Sequence, residues 1–186
     1  MFDFAAAFEE ALPYQAFLEK YGTPDQRHRW EAFRQSISLT PEQTSLLGGF
    51  SREMKVLVLA GTWCGDCVNQ CPIFELFANA SEKLNVRYAD RDDAADLAAQ
   101  LKTCGGARVP AVVFLSEDGQ FCGRYGDRTL TKYRQMVSTL HGASCSTGIG
   151  DAEHFTASVI QDWLNEFERI QWMLRTSTRL RQLHGD

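Results

Sequence analysis

The sequence predicts an α/β fold in which a central mixed sheet of about four strands is flanked by helices. From about residue 55 onward, apolar runs of strand length alternate with helical patterns in the order β-α-β-α-β-β-α. The first strands are joined by helical segments, as parallel strands require, and the last two are joined by a tight turn. The sheet should therefore begin parallel and end antiparallel.

The predicted strands are short apolar segments bounded by turn residues. The first is almost continuously apolar, which is typical of a strand covered on both faces. A Ser-Glu-Asp-Gly turn joins the last two as a hairpin. The four predicted strands are Lys55–Ala60, Val86–Asp90, Pro110–Leu115 and Gln120–Tyr125, and the helices that follow the first, second and fourth strands are Val68–Leu84, Asp92–Lys102 and Thr129–Leu140.

Helical segments extend this region at both ends. Near the N-terminus, Thr23-Pro24 and Thr40-Pro41 each place an N-cap residue before a proline at the first helical position. We divide the chain into an N-terminal helical extension (1–49), a core (50–141), a linker (142–150) and a long C-terminal helix (151–186) packing on the same domain. The apolar stripe of this last helix needs a cover. The N-terminal helices of the same protomer would provide one, and a homodimer or another partner is the alternative.

Composition narrows the classes of function. At 186 residues, with 44% hydrophobic and 11% aromatic residues, the chain can bury a sizeable core. The net charge of −5 and the lack of a dense basic run argue against nucleic acid and anionic membranes as partners. No apolar run has the length of a bilayer span, and the N-terminus lacks the pattern of a secretory signal. Six cysteines are too sparse for a disulfide-stapled scaffold, so we expect a cytoplasmic protein.

The segment Trp63-Cys64-Gly65-Asp66-Cys67 carries the chemistry that the sequence predicts. It follows the first strand and precedes a helix, so the first thiol lies by the unsatisfied N–H groups of a helix start, which favour thiolate. The second thiol lies about one turn further on and can attack a mixed disulfide formed by the first. We expect thiol–disulfide oxidoreduction, with Cys64 as the nucleophile and Cys67 as the resolving thiol.

The cysteines allow other interpretations. The pair could form half of a metal site with Cys71 as a third sulfur. The four histidines are scattered and no second Cys-x-x-Cys follows, so we expect no metal. Cys71 is expected to pack as a small apolar residue, with a secondary redox role as the alternative. We expect Cys104, Cys122 and Cys145 to be structural or incidental.

The motif and its surroundings resemble the thioredoxin superfamily, over roughly residues 50–141. Beyond the motif, Pro72 stands five residues after Cys67, where that family commonly carries a proline that kinks the active-site helix. Val109-Pro110 opens the third strand, where the family has its cis-proline beside the dithiol, so we predict a cis bond there. The Cys-Gly-Asp-Cys form is similar to that of a bacterial thioredoxin-like subfamily.

The resemblance implies a thioredoxin fold with additional terminal helices and a protein disulfide reductase of cell redox homeostasis. It implies no cofactor beyond the redox-active disulfide, with protein or small-molecule disulfides and dithiols, and an upstream reductase, as partners. The site residues that it implies are Cys64 and Cys67 for catalysis, Trp63, Val109 and Pro110 for substrate binding, and Gly65, Asp66 and Pro72 as modulating residues.

Two departures from the family pattern bear on the chemistry. Asp66 replaces the proline usual between the two cysteines, and an acid there opposes thiolate formation. Val58 stands where the family has a buried acid, so proton transfer to and from Cys67 needs water or another group, with Asp90 and Asp92 as candidates. A non-catalytic binding module that keeps the fold to present its groove is therefore the competing hypothesis.

Overall fold

The computed structural model describes residues 2–141 and 154–186, so the predicted linker 142–150 lies outside the described residues. One sheet contains β1 (Met54–Ala60), β2 (Leu84–Asp90), β3 (Ala111–Ser116) and β4 (Phe121–Gly126) in the order β2-β1-β3-β4. β1 pairs in parallel with β2 and antiparallel with β3, and β3 pairs antiparallel with β4. The predicted mixed sheet and its order of elements are confirmed.

Helices flank this sheet, and further helices precede β1 and follow β4 in the chain, as predicted. Before β1 come α1 (Phe4–Glu10), α2 (Tyr14–Tyr21), α3 (Pro24–Ser36) and α4 (Pro41–Gly48). Between the strands lie α5 (Gly65–Val68), α6 (Cys71–Ala80) and α7 (Ala95–Gln100). After β4 come α8 (Leu130–His141), α9 (Phe155–Thr176) and α10 (Thr178–His184). None of the helices in the described ranges is long and apolar enough to cross a membrane.

Both Thr-Pro signals mark helix starts. Thr23 and Thr40 are the N-caps of α3 and α4, and each forms a reciprocal capping box with a glutamine three residues later. The threonine side chain accepts the glutamine backbone N–H, and the glutamine side chain accepts the threonine N–H. The local sequence therefore determines where these helices begin.

Two helices predicted as continuous are interrupted. The segment predicted as one helix from Val68 to Leu84 is α5 followed by α6, and Leu84 already belongs to β2. Pro72 lies in the first turn of α6, where its missing N–H costs no helical hydrogen bond, and Gln70 precedes that helix with φ −128°. The C-terminal helix ends at Thr176, and the extended Ser177 starts α10 by accepting the N–H of Leu180.

The apolar stripe of α9 is covered within the chain. Its Trp163 and Phe167 rings both contact Phe74 on α6, at centroid distances of 4.6 and 5.7 Å. Phe167 also contacts Phe114 on β3, and Trp163 contacts Tyr125 on β4. The cover is thus mainly α6 and the sheet, rather than the N-terminal helices that the sequence pattern favoured.

The N-terminal helices pack along β2, at the edge of the sheet. Phe17 and Tyr14 contact Tyr88 of β2 at centroid distances of 5.5 and 5.7 Å. The backbone of Leu12 exchanges two hydrogen bonds with Tyr88, of 2.9 and 2.7 Å, at the outer edge of the sheet. This edge strand is therefore partly paired.

Candidate active site

The carboxyl end of β1 brings the two predicted cysteines into one site. Cys64 is the N-cap residue of α5, and Cys67 lies within that helix. Both are free thiols, and they differ in access: Cys64 is half-buried, whereas Cys67 is fully buried. One thiol can thus be approached from outside while the other is held behind it.

The loop before β3 lies directly against the accessible thiol. The Cys64 thiol donates to the carbonyl oxygen of Val109, with an Sγ–O distance of 3.6 Å. The Val109–Pro110 bond is cis, as predicted. Val109, one of the three residues expected to bind substrate, therefore borders Cys64, and Pro110 follows it in the chain.

Trp63 stands on the surface beside the thiols, with 42% of its side chain exposed. The guanidinium of Arg91 lies 4.3 Å from the centroid of its ring, within the range of a cation–π contact. A Cβ added at Gly61 would come within 2.7 Å of the indole. Gly61 therefore makes room for the tryptophan, and Arg91 packs against its ring.

The N-terminal helices anchor the loop that leads to the cysteines. The buried indole N–H of Trp30, on α3, donates to the carbonyl of Thr62 at 2.9 Å. The Thr62 hydroxyl donates to the carbonyl of Tyr21 at 3.2 Å. Both are tertiary contacts, which the sequence pattern alone does not show.

Asp66 is held by cations that the sequence analysis missed. Its carboxylate forms an ion pair with Arg128 at 2.6 Å and lies 3.7 Å from Lys132. Arg128 also pairs at 2.9 Å with Asp127, which accepts the hydroxyl of Tyr133. The signal in the sequence was the Asp127-Arg128 pair immediately after the last strand.

The surroundings of the two thiols raise their pKa values, against the expectation of a thiolate on Cys64. The pKa of Cys64 is raised, first by its hydrogen bond with Cys67 and then by burial. Burial is also the main cause that raises the pKa of Cys67. The backbone N–H groups of Cys67 and Asp66 lower the pKa of Cys64, as expected of a helix start, but the hydrogen bond with Cys67 and burial outweigh them. The start of α5, a helix of only four residues, therefore favours the thiolate less than the surroundings of the pair oppose it.

The two candidate acids for proton transfer are engaged elsewhere. One carboxylate oxygen of Asp90 accepts the backbone N–H groups of Asp92 and Asp93 at 2.9 and 3.2 Å. Asp92 is exposed and pairs with Arg91. Val58 is fully buried in β1, where it is paired with Tyr88 and Val112. Proton exchange at Cys67 through either acid has no support in these contacts.

The remaining cysteines lie in different environments. Cys71 is fully buried at the start of α6, consistent with packing. Cys104 is exposed, and the half-buried Cys122 thiol donates to the carbonyl of Gln120 at 3.4 Å. Cys145 lies outside the described residues. Over residues 2–141 and 154–186, no group of three or more His, Cys, Asp or Glu is arranged to hold a metal ion.

The other two predicted modulating residues have simple surroundings. Gly65 is exposed, and a Cβ added there would meet nothing within 4 Å. Pro72 is buried in the first turn of α6. Their effect on the thiols stays a prediction.

Comparisons with known proteins agree with this fold. A family model described as thioredoxin matches residues 11–141. The crystal structure of a protein of unknown function from Pseudomonas aeruginosa aligns with a TM-score of 0.71 and 20% identity, covering 90% of this chain and 98% of that chain. An HIV epitope-scaffold aligns with a TM-score of 0.64 and 20% identity, covering 89% and 98%. At these identities the structures show a common fold alone. No curated protein is significantly similar in sequence.

Proposed function

The chain belongs to the thioredoxin family, and from this premise we propose that it is a thiol–disulfide oxidoreductase acting through Cys64 and Cys67. The observation that carries the proposal is the placement of a half-buried thiol at the carboxyl end of β1, with a fully buried thiol behind it in α5. Exchange requires this arrangement, because one sulfur must meet the substrate and the other must wait for the mixed disulfide.

The reaction balances with these two sulfurs alone. Cys64 loses its proton to solvent, and its thiolate attacks one sulfur of a substrate disulfide. The substrate S–S bond breaks, and the leaving thiolate takes up a proton. Cys67 then loses its proton to water, and its thiolate attacks the Cys64 sulfur of the mixed disulfide. The bond between Cys64 and the substrate breaks, the Cys64–Cys67 disulfide forms, and the second substrate sulfur leaves as a thiolate that takes up a proton. The substrate gains two electrons, and the protein loses two.

The residues beside Cys64 would bind the substrate. The loop at Val109 and Pro110 borders the thiol, and the exposed face of Trp63 offers apolar surface for the groups that flank a substrate disulfide. Gly65, Asp66 and Pro72 would modulate the pair through the start and break of the active-site helix. No cofactor beyond the redox-active disulfide is needed for this step.

We assign the couple the role of a reductase in the redox homeostasis of the cytoplasm, where thiols are kept reduced. Its substrates would be protein or small-molecule disulfides. An upstream dithiol reductase would return the Cys64–Cys67 disulfide to the thiol form.

A non-catalytic binding module is the second candidate. The raised pKa of Cys64 favours it, because it slows the formation of the attacking thiolate. The valine at position 58 favours it as well, because it leaves Cys67 without the acid that would take up its proton. In this case the groove beside Pro110 would hold a partner without exchange of electrons.

Reduction of insulin disulfides with dithiothreitol as the final reductant separates the two candidates. We expect the wild-type chain to accelerate the precipitation of insulin B chains and Cys64→Ser to abolish the acceleration. Cys104→Ser removes an exposed thiol outside the site and is the matched control, expected to keep wild-type activity. An inactive wild-type chain, or a Cys64→Ser variant as active as wild type, would exclude the proposed oxidoreductase.

A further inference from the structure

Arg128 is the cation in closest contact with the acid between the two cysteines. On the premise of the proposed dithiol function, we propose that Arg128 is a positioning residue of the site: it holds the Asp66 carboxylate and cancels its charge, so that a thiolate can form on Cys64. Arg128 does this from the segment after β4, without contributing a group to the exchange itself.

The contacts of Asp66 show how the charge is cancelled. Its Oδ2 lies 2.6 Å from a guanidinium nitrogen of Arg128, and its Oδ1 lies 3.7 Å from Nζ of Lys132. The exposed fractions of the Arg128, Lys132 and Asp66 side chains are 20%, 17% and 17%. At this burial, solvent screens the carboxylate only partly, so its cationic partners determine the field that it exerts on the neighbouring thiols.

Arg128 is itself held in place by buried groups. It pairs at 2.9 Å with Asp127, whose side chain is only 2% exposed. The amide of Gln70 donates to the backbone carbonyls of both Asp66 and Asp127, each at 3.2 Å. The Gln70 side chain therefore joins the backbone of α5 to the backbone of the segment after β4, in addition to the ion pair. These contacts hold Arg128 against Asp66.

The local charge balance depends on this arginine. Asp66 and Asp127 contribute two negative charges, and Arg128 forms a short pair with both. Arg108 lies 3.5 Å from Asp127, and Lys132 is the other partner of Asp66. Without Arg128, each carboxylate would keep only one cation at 3.5 Å or more. A carboxylate left with uncancelled charge beside a sulfur disfavours the thiolate.

Other titratable groups lie around the thiols, the Asp66–Arg128 pair and Trp63, and each must be considered in any pH measurement. They are Cys67 and Cys71 along the active-site helices, Asp66 between the cysteines, Arg128, Lys132, Asp127 and Tyr133 from the segment after β4 and α8, Arg108 from the loop before β3, and Arg91 beside Trp63. Substituting Arg128 and Asp66 singly and together separates the effect of their ion pair from the effects of the other titratable groups.

The test measures the rate at which iodoacetamide alkylates Cys64 of the reduced full chain across a pH series. Peptide mass spectrometry assigns the modified cysteine. The variants are Arg128→Gln, Arg128→Lys, Asp66→Asn and the double variant Asp66→Asn/Arg128→Gln. Arg179→Gln is the matched control, because it removes the same charge from an arginine on α10 that pairs with Asp118.

We expect Arg128→Gln to slow the alkylation of Cys64 roughly threefold to tenfold at pH 7 and to move its pH profile upward. Arg128→Lys should keep most of the wild-type rate, since it keeps the charge. The double variant should return to the wild-type rate or exceed it, because the uncancelled carboxylate is gone. A purely structural role for Arg128 would give no rescue on removal of Asp66.

An unchanged alkylation profile in Arg128→Gln, or slowing that persists in the double variant, would overturn the role of Arg128. So would equal slowing in the Arg179→Gln control. Because alkylation requires no disulfide substrate, these results are independent of the insulin assay. An active wild-type chain with an unchanged Arg128→Gln profile would refute only the role of Arg128, and an inactive chain with the predicted profile would refute only the proposed function.

Discussion

At the scale of single residues, Gly126 brings the end of β4 against the loop of the cis-proline. Its φ is +114°, and a Cβ built on it would lie 2.5 Å from the carbonyl oxygen of Pro110. Gly126 also pairs with Ala111, the first residue of β3. A side chain here would therefore meet a strained conformation and a backbone clash at the cis-proline.

Gly126→Ala is predicted to destabilise the chain by about 2–4 kcal/mol, because the left-handed conformation and the clash act together. Gly105→Ala is the matched control. Gly105 also has positive φ, +77°, but nothing within 4 Å of an added Cβ, so its loss should be only about 1 kcal/mol. Urea unfolding measures both. If both variants lost the same unfolding free energy, the clash with the Pro110 oxygen would contribute nothing to the destabilisation.

How far the sequence could predict the site depends on how local each contact is. Cys64, Cys67 and the cis bond before Pro110 follow from short motifs, and they meet in the structure. Arg128 could not be placed beside Asp66, because that contact depends on the path of the chain after β4. The expected thiolate is opposed for a related reason: the hydrogen bond between the two thiols and the burial of the pair are three-dimensional features that the motif does not show, and they outweigh a helix start of four residues.

At the scale of elements, α9 supports the active-site helix from behind. The indole N–H of Trp163 donates to the side-chain oxygen of Gln70 at 3.0 Å, and both residues are buried. Gln70 in turn donates to the carbonyls of Asp66 and Asp127. The added C-terminal helix thus fixes the break between α5 and α6.

Trp163→Phe is predicted to cost about 1–3 kcal/mol, because it leaves the oxygen of Gln70 unpaired and opens space beside Phe74. Trp172→Phe, on the same helix, is the control. Trp172 is 41% exposed, and its indole N–H donates to the Glu168 carboxylate in an exposed hydrogen bond. The loss of stability in Trp172→Phe should therefore stay below about 0.5 kcal/mol. Denaturant unfolding of both variants makes the comparison. A small loss in Trp163→Phe would contradict the supporting role of α9.

The elements themselves were predictable where one local signal dominates. Predicted and observed strands agree to within a residue or two because continuous apolar runs mark them. The single helix predicted from Val68 to Leu84 failed because apolar spacing continues across the break. Pro72 marked a kink, but only the packing of Gln70 under α9 fixes where the helix ends.

At the scale of the whole molecule, the C-terminus is fastened to the end of the sheet opposite the dithiol. We call this contact the C-terminal latch: Arg179 pairs with Asp118, His184 with Glu117, and Asp186 with Arg52. Asp118 and Glu117 belong to the turn between β3 and β4. The latch closes α10 over that turn.

The latch predicts a dependence of stability on acid. Arg179, and then the Ser116 hydroxyl, hold the pKa of Asp118 below its usual range. A carboxyl whose pKa is lower in the folded chain contributes stability above its unfolded pKa of about 4, and this contribution is lost as pH falls through the folded pKa. The contribution is below about 1 kcal/mol, because the Asp118 side chain is 40% exposed.

In Asp118→Asn and in Arg179→Gln, the unfolding free energy should therefore fall less steeply with decreasing pH below about pH 4 than it does in the wild type. The double variant should show the same pH dependence as each single variant. Urea midpoints collected as a function of pH provide the measurement. If both single variants kept the full wild-type slope, the latch would have no part in acid unfolding.

The redox equilibrium of the Cys64–Cys67 pair tests the central claim most directly. The chain is equilibrated in buffers of defined potential, quenched with acid, and mapped by mass spectrometry. We predict a single two-electron transition that joins Cys64 to Cys67, with a midpoint between about −220 and −320 mV, the range of the reducing cytosol. No Cys64–Cys67 disulfide at any potential would contradict the dithiol site, and a midpoint near about −120 mV would contradict a cytoplasmic reductase.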